Sequence, residues 1–162
     1  MQTDWLKDFS QTINDASARL LRVPEATTAA SEAEGKWSPK QILGHLIDSA
    51  ANNHQRFVRA QFSDDLVFPG YEQEAWVDVQ RYHEESWTDL VQLWRGYNLH
   101  LCHVMSAIPV EVRLKSRAQH NLDQIGWQAV SQDKPVTLEY FMKDYAGHLQ
   151  HHLDEIYSQC DC

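Results

Sequence analysis

Three histidines near the end of the chain are the residues whose type and spacing point most clearly to chemistry. They are His148, His151 and His152, in the stretch YAGHLQHHLDEI. On a helix, His148 and His152 lie one turn apart on one face, so both imidazoles can reach a single metal ion, as in metalloprotease helices. His151 is rotated by about 100° from His152, so we expect it to lie outside the coordination sphere. The alternative is a pair of core histidines whose ring nitrogens are satisfied by hydrogen bonds.

A third imidazole for the same ion is available from His45, in the stretch QILGHLIDS. Its neighbours one turn away, Ile42 and Ser49, predict a position at the edge of the apolar face of its helix rather than deep within it. Metal sites in helix bundles are built from side chains on facing helices, so His45 opposite the other two is a reasonable geometry. Spacing alone leaves competitors, for which we favour solvated or structural roles: His54, His100 and His103.

Four long segments with helical periodicity must position these histidines. They are predicted at residues 3–22, 38–62, 86–109 and 137–159. The second has the clearest start, since Ser38 and Gln41 form a capping-box pattern around Pro39. A short helix is predicted in EQEAWVDVQRYH, and residues 110–135 are expected to form a strand pair or an ordered loop. The pattern predicts an all-α, up-and-down four-helix bundle, a single domain over residues 1–162, with long loops after helices two and three.

The composition excludes several classes of function. The formal net charge is −9, and the basic residues are scattered, so we expect no nucleic-acid partner. No stretch approaches the roughly 18 consecutive apolar residues of a membrane span, and the first twenty residues lack the pattern of a secretory signal. We therefore expect a cytoplasmic protein without a membrane partner.

The cysteines and tryptophans carry weaker signals. Three cysteines, with Cys160 and Cys162 at the very end, are too few for a disulfide framework, and a frayed tail is the simplest interpretation of the final CDC. Among six tryptophans, Trp94 fits the core and Trp37 fits a hydrophobic staple before the Ser38 cap. Trp76, in a connecting segment, is the one we expect to line a pocket.

Several of these stretches together resemble a known family. WSPKQILGHLIDS, PGYEQEAW and DYAGHLQHHLDEI, in this order, resemble the DinB-like four-helix superfamily, and in particular its YfiT-type branch of metal-dependent hydrolases and bacillithiol-type thiol transferases. The resemblance spans residues 37–156. It implies that His45, His148 and His152 are the metal ligands, that residues 71–76 help to roof the site, and that the protein forms a homodimer.

Three neutral imidazoles would leave a divalent ion, zinc or nickel, with an open position, which is typical of catalytic sites. A low-molecular-weight thiol activated there would be conjugated to a small electrophile, and the resemblance favours this transferase reaction. Activated water would instead hydrolyse an ester or amide. A non-catalytic stress-response module that binds metal is a third alternative.

Hydrolysis usually also needs a general base near the metal. The nearest acidic residues along the chain are Asp48, close after His45, and Asp144, one turn before His148. Each is a weak candidate for a catalytic role. A carboxylate that orients a histidine ring, or one that is simply solvated, is an equally simple interpretation.

Overall fold

The computed structural model describes residues 4–162 and is helical throughout. The α-helices of this part of the chain are α1 (Asp4–Leu20), α2 (Pro39–Arg59), α3 (Gln73–Gln80), α4 (Trp87–Ala107), α5 (Val110–Leu114), α6 (Leu122–Ile125) and α7 (Leu138–Cys160). Extended pairing within it is limited to isolated bridges between Leu66 and His120 and between Arg117 and Val136. The predicted all-α four-helix bundle is therefore confirmed, with α1, α2, α4 and α7 as its four long helices.

Local sequence determines where the long helices begin. Ser38 accepts a hydrogen bond from the Gln41 backbone N–H, and the Gln41 side chain accepts one from the Ser38 N–H, so the predicted capping box is present. Ser86 and Thr137 cap α4 and α7 in the same way, each through its hydroxyl oxygen. The apolar stripe of α1 is buried as its spacing predicts: Leu6, Phe9, Ile13, Ala16 and Leu20.

The directions of the helices follow from contacts near their ends. Leu20, at the end of α1, accepts a hydrogen bond from the indole of Trp87, at the start of α4, so these two helices are antiparallel. Lys40, at the start of α2, donates to the carbonyl of Glu85, just before α4, while His54 contacts Tyr97 further along both helices. Helices α2 and α4 therefore run in the same direction.

The order of directions along the chain is consequently up, down, down, up rather than strictly alternating. In the structure α2 packs against both α4 and α7, and it is antiparallel to α7. The long connection over residues 60–86, which contains α3, lets the chain return to the end of the bundle where α2 began. The predicted long loop after α2 is thus the segment that makes α2 and α4 parallel. The short helix expected within it is confirmed as α3.

The second long connection, residues 108–137, forms no strand pair. It contains the short helices α5 and α6; the bridge between Arg117 and Val136 pairs its two ends, and the bridge between Leu66 and His120 joins it to the first long connection. Both long connections lie beside the paired helices α2 and α7, and both contribute to the cavity described below. Among the described helices, none is long and apolar enough to cross a membrane.

Candidate metal centre

The three histidines predicted to act together converge between α2 and α7. Their ligand nitrogens, from His45, His148 and His152, all lie within 4.8 Å of one another. The Nε2 atoms of His45 and His148 are 3.2 Å apart. The ring of His152 is 4.8 Å from that of His45 and 4.6 Å from that of His148, measured between centroids. Antiparallel packing of α2 on α7 brings these residues, about a hundred positions apart in sequence, to one point.

The predicted placement of His45 at the edge of the apolar face is wrong. Only 1% of His45 is exposed, so it lies in the interior of the bundle. The prediction considered only the neighbours of His45 on α2, whereas α7 covers it from one side and Trp37 packs on its ring at 5.0 Å. Trp37 therefore covers the buried His45 as well as preceding the helix cap.

The hydrogen bonds of the three rings leave lone pairs available for a cation. Nδ1 of His152 lies 2.6 Å from the carboxylate of Glu155, an arrangement that orients an imidazole and leaves its Nε2 available for a metal. His45 Nδ1 is buried without a hydrogen-bond partner. In the described part of the chain the rings thus pair only with each other and with Glu155. This donor set fits a divalent ion that prefers imidazole.

The three imidazoles are held in their neutral, metal-binding form. Burial lowers the pKa of His45 to about 4, with the neighbouring His152 adding to the effect. Burial also lowers the pKa of His148 to about 3, again helped by the surrounding histidines. The pKa of His152 is lowered by burial too, although Glu155 acts in the opposite direction. At neutral pH no proton competes with a metal at these rings.

A cavity of about 330 Å³ opens beside His148 and His152 and reaches the surface. Its walls come from α2, α7 and both long connections. Trp127 lies at its mouth, with ring centroids 6.5 Å from His148 and 5.7 Å from His151. Gly147 allows this, since a Cβ there would be 2.8 Å from the Trp127 ring. The cavity has the size of a small-molecule site.

The aromatic residues around the cavity differ from those expected. Tyr71 lines it, as the predicted roof over residues 71–76 requires. Trp76 does not belong to its lining and instead packs on the outer side of Tyr71, with ring centroids 4.8 Å apart. The pocket-lining tryptophan is Trp127, which the sequence analysis did not single out because residues 110–135 carried no clear periodicity.

The two candidate carboxylates are both engaged in hydrogen bonds. One oxygen of Asp48 accepts from Gln80 at 2.8 Å and from Tyr82 at 2.7 Å, and Asp48 does not line the cavity. Asp144 does line it, but its two oxygens accept the backbone N–H groups of Trp127 and Gln128, each at 2.8 Å. Burial raises the pKa of both carboxyls. A catalytic role for either residue stays a prediction, and the observed contacts of Asp144 position Trp127.

The remaining histidines do not belong to the three-histidine cluster, although His151 lies beside it. His151 is exposed, and together with His152 and Glu155 it forms a second grouping of possible ligands on the outer side of α7. This grouping shares His152 and its carboxylate already bonds to that ring, so we regard the three-histidine cluster as the stronger site. Two of the competing histidines, His54 and His100, pack together between α2 and α4 with ring centroids 5.2 Å apart.

Sequence reasoning missed a set of polar residues on the cavity wall of α2: Ser49, Asn53 and Arg56. All three are buried within the fold. Together with His45 they have spacings of four, four and three, which place them along one face of the helix. That spacing of polar residues in an otherwise apolar stripe was the signal available in the sequence.

Comparisons with known proteins agree with this architecture. The DinB superfamily pattern matches residues 8–156. A protein of Oceanobacillus iheyensis, named "putative metal-dependent hydrolase", is 26% identical over 73 residues, which cover 45% of this chain. The match spans only 42% of the length of that relative.

A solved structure is similar over almost the whole chain. YfiT from Bacillus subtilis, described as a probable metal-dependent hydrolase with an unusual four-helix bundle topology, superposes with a TM-score of 0.74. The superposition covers 98% of this chain and 87% of YfiT at 15% identity, so it establishes a shared fold. Since the superfamily pattern extends over most of the chain and the fold agrees, the resemblance noted in the sequence is confirmed: this protein belongs to the DinB superfamily.

Proposed function

We propose that this protein is a metal-dependent enzyme in which His45, His148 and His152 hold a divalent ion, zinc or nickel. The observation that carries the proposal is the convergence of three imidazoles, held neutral by burial, beside a cavity open to small molecules. A divalent ion with an open position lowers the pKa of a thiol or of water that binds it, and so supplies a nucleophile at neutral pH.

The reaction we propose is the transfer of a low-molecular-weight thiol to a small electrophile. Neither candidate carboxylate is well placed as a general base for water, because Asp48 does not line the cavity and both oxygens of Asp144 already accept backbone N–H groups. A thiol has a much lower pKa than water, so it needs less help from a base to reach its nucleophilic form. The side chains around the cavity would then bind and orient the two reactants.

Three parts of the chain position these reactants. Glu155 orients the ring of His152 through Nδ1, and Trp127 narrows the entrance over His148. Tyr71, on the connection that follows α2, lines the cavity with its phenol. Burial raises the pKa of Tyr71 to about 12, so the phenol remains protonated and can donate a hydrogen bond. These groups exclude water from the reacting atoms and hold the electrophile near the histidines.

Hydrolysis of an ester or amide is the second candidate. It is favoured by the description of the Oceanobacillus relative and of YfiT as metal-dependent hydrolases. This reaction would need a proton acceptor, and the carboxylate of Asp144 is the acidic group lining the cavity. To serve, Asp144 would have to release at least one of the two backbone N–H groups that it now accepts.

The test combines metal content with turnover. Purified wild type and His148→Ala are each loaded with zinc or nickel, dialysed and analysed by mass spectrometry. We expect about one ion per chain in the wild type and none at the site in the variant. Loaded wild type is then assayed with an alkylating electrophile in the presence of several small thiols, and separately with ester substrates in the absence of thiol.

The outcomes separate the candidate functions. Thiol-dependent consumption of the electrophile that is lost in His148→Ala supports the transferase. Ester cleavage without thiol that shows the same dependence supports the hydrolase. Metal bound stoichiometrically without either activity points to a non-catalytic metal-binding module, and a wild type that takes up no metal contradicts the whole proposal.

A further inference from the structure

Arg56 is a buried cation on the cavity wall without a carboxylate partner. Only 6% of its surface is exposed, and it lies on α2 facing the cavity that also contains His148 and His152. Its hydrogen bonds go to neutral acceptors: Nη2 donates to the Pro69 carbonyl at 3.0 Å, and Nη1 donates to Oδ1 of Asn53 at 3.4 Å. Among the described residues, no carboxylate oxygen lies within 4.0 Å of its guanidinium group.

A buried charge of this kind is costly unless it is compensated. The chain carries a net charge of −9, so acidic residues are plentiful. Burial nevertheless lowers the pKa of Arg56, and the group that opposes this effect is Tyr71 rather than a carboxylate. A guanidinium has five N–H donors, and the two hydrogen bonds to Asn53 and Pro69 leave others available. Within the described part of the chain, no carboxylate therefore pairs directly with Arg56, although Asp144 lines the same cavity.

A second buried arginine, Arg117, differs from Arg56 in its surroundings. Arg117 is also buried, and it donates to the carbonyls of Ala60 and Val112. Burial lowers its pKa, and the carboxylates of Asp64 and Asp65 act against that effect. Arg117 does not line the histidine cavity. Arg117 thus ties backbone segments together near acidic groups, whereas Arg56 faces space that a small molecule can enter.

The distance between Arg56 and His45 indicates how long a molecule must be to contact both residues. The two residues are eleven positions apart on one helix, so their Cα atoms are separated by about 16 Å. Side chains on a helix lean toward its N-terminus, which brings the guanidinium closer to the histidines than this distance. A molecule of several carbon atoms could contact both ends of the cavity.

From this geometry we propose that Arg56 binds a carboxylate group of the substrate, at the end of the cavity remote from the three histidines. Guanidinium groups pair with carboxylates through parallel N–H···O bonds, which gives both affinity and orientation. Asn53 and the Pro69 carbonyl hold the guanidinium in place for this contact. This inference rests on the proposed function, because it assigns a substrate class to the same site. That class is small organic acids.

The test measures binding, so that it does not depend on turnover. Hexanoate and the isosteric neutral hexanamide are titrated into the full-length protein, as purified and after removal of metal by a chelator, with binding followed by NMR. We expect hexanoate to bind at least about tenfold more tightly than hexanamide in both forms, because a hydrogen bond between two charged groups is stronger than one to a neutral amide. The Arg56 Nε–H signal is expected to shift on hexanoate binding.

Substitutions on α2 test whether the preference for hexanoate depends on Arg56. Arg56→Gln is expected to abolish the preference for hexanoate, and Arg59→Gln, which changes an exposed arginine on the same helix, is expected to retain it. If Arg56→Gln does not fold, Arg56→Lys, which preserves the charge, is expected to keep a weaker preference. Equal binding of the two probes to the wild type, or an unshifted Arg56 signal, would overturn the inference.

The result is independent of the metal proposal. Hexanoate selectivity in the chelated protein supports the carboxylate site even if no metal is ever found. Conversely, an enzyme that binds metal and turns over while showing no hexanoate selectivity disproves the carboxylate site alone.

Discussion

Two groups of histidines lie on opposite sides of α2, and they differ in what surrounds them. His45 joins His148 and His152 between α2 and α7, where the rings are buried and their nitrogens converge. His54 joins His100 on the α4 side, where its ring is only half-buried and its Nδ1 is 3.2 Å from the Tyr97 hydroxyl. In the described part of the chain the second group does not bring three ligand atoms together within 4.8 Å.

The comparison shows that helical spacing of histidines does not by itself bring their ligand nitrogens together. His100 and His103 are also about one helical turn apart, yet their rings lie nearly parallel, 29° between planes, with centroids 6.4 Å apart. The inner group differs because a second helix supplies a third imidazole from the opposite side and because its rings are buried. Burial and convergence therefore distinguish a candidate ligand from a surface imidazole.

The largest expected difference between the groups is in metal affinity. His45→Ala removes one of three proposed ligands, and we expect affinity for zinc to fall by about a thousandfold or more, since loss of an outer partner alone typically costs 10–100-fold. His54→Ala, on the same helix, is the matched control and should leave affinity unchanged. Competition with a zinc-binding dye measures both, and equal losses in the two variants would remove the distinction.

The groups should also differ in how they couple stability to pH. The pKa values of about 4 for His45 and about 3 for His148 lie below the ordinary value of 6.5, so the unfolded chain binds protons that the folded chain does not. The contribution of these two rings to the stability of the metal-free protein is therefore fully present above about pH 6.5 and is lost progressively as the pH falls toward their folded-state pKa values. We expect this to amount to about 3 kcal/mol for each of the two rings between pH 7 and pH 4.

Urea unfolding of the chelated protein at several pH values measures this effect. In His148→Ala the dependence on pH should become shallower, because fewer imidazoles are held neutral by folding. In His100→Ala, which changes an exposed residue of the outer group, the dependence should equal that of the wild type. A steep dependence that survives loss of His148 would show that other groups cause it.

A smaller effect is expected from the carboxylate that orients the inner group. Glu155→Ala removes the 2.6 Å contact to His152 Nδ1, and we expect zinc affinity to fall about tenfold while stoichiometry remains one ion per chain. Asp154→Ala changes a neighbouring exposed carboxylate that contacts Gln150 instead, and should have no such effect. Identical affinities in the two variants would indicate that Glu155 does not position the ring.

An effect of similar size is expected in the segment that carries Trp127 over the inner group. Asp144→Asn leaves one acceptor oxygen for two backbone N–H groups, at Trp127 and Gln128, and we expect a loss of about 1–2 kcal/mol in the free energy of unfolding. Urea denaturation measures it, with Asp123→Asn as an exposed control. Loss of turnover by several orders of magnitude with stability intact would instead identify Asp144 as a proton acceptor.

Local patterns in the sequence determined the four long helices, their starts and the identity of the converging histidines. The capping box at Ser38 and the stripe of α1 depend only on neighbours three or four residues away, so they can be identified without knowledge of the fold. The spacing of His148 and His152 is equally local. The addition of His45 was aided by a family resemblance that the comparisons confirm.

Only the tertiary structure decided how deeply His45 is buried, that α2 and α4 run in the same direction, and which aromatic residue covers the cavity. Each depends on the packing of segments far apart in the chain, and such contacts leave no periodic signal in either partner. Trp127 reaches the cavity because Asp144 accepts its backbone N–H, and Arg56 faces it because α2 and the loop at Pro69 enclose one end. The environment of these side chains at the cavity is therefore set by residues distant in sequence, which only the folded chain brings into contact with them.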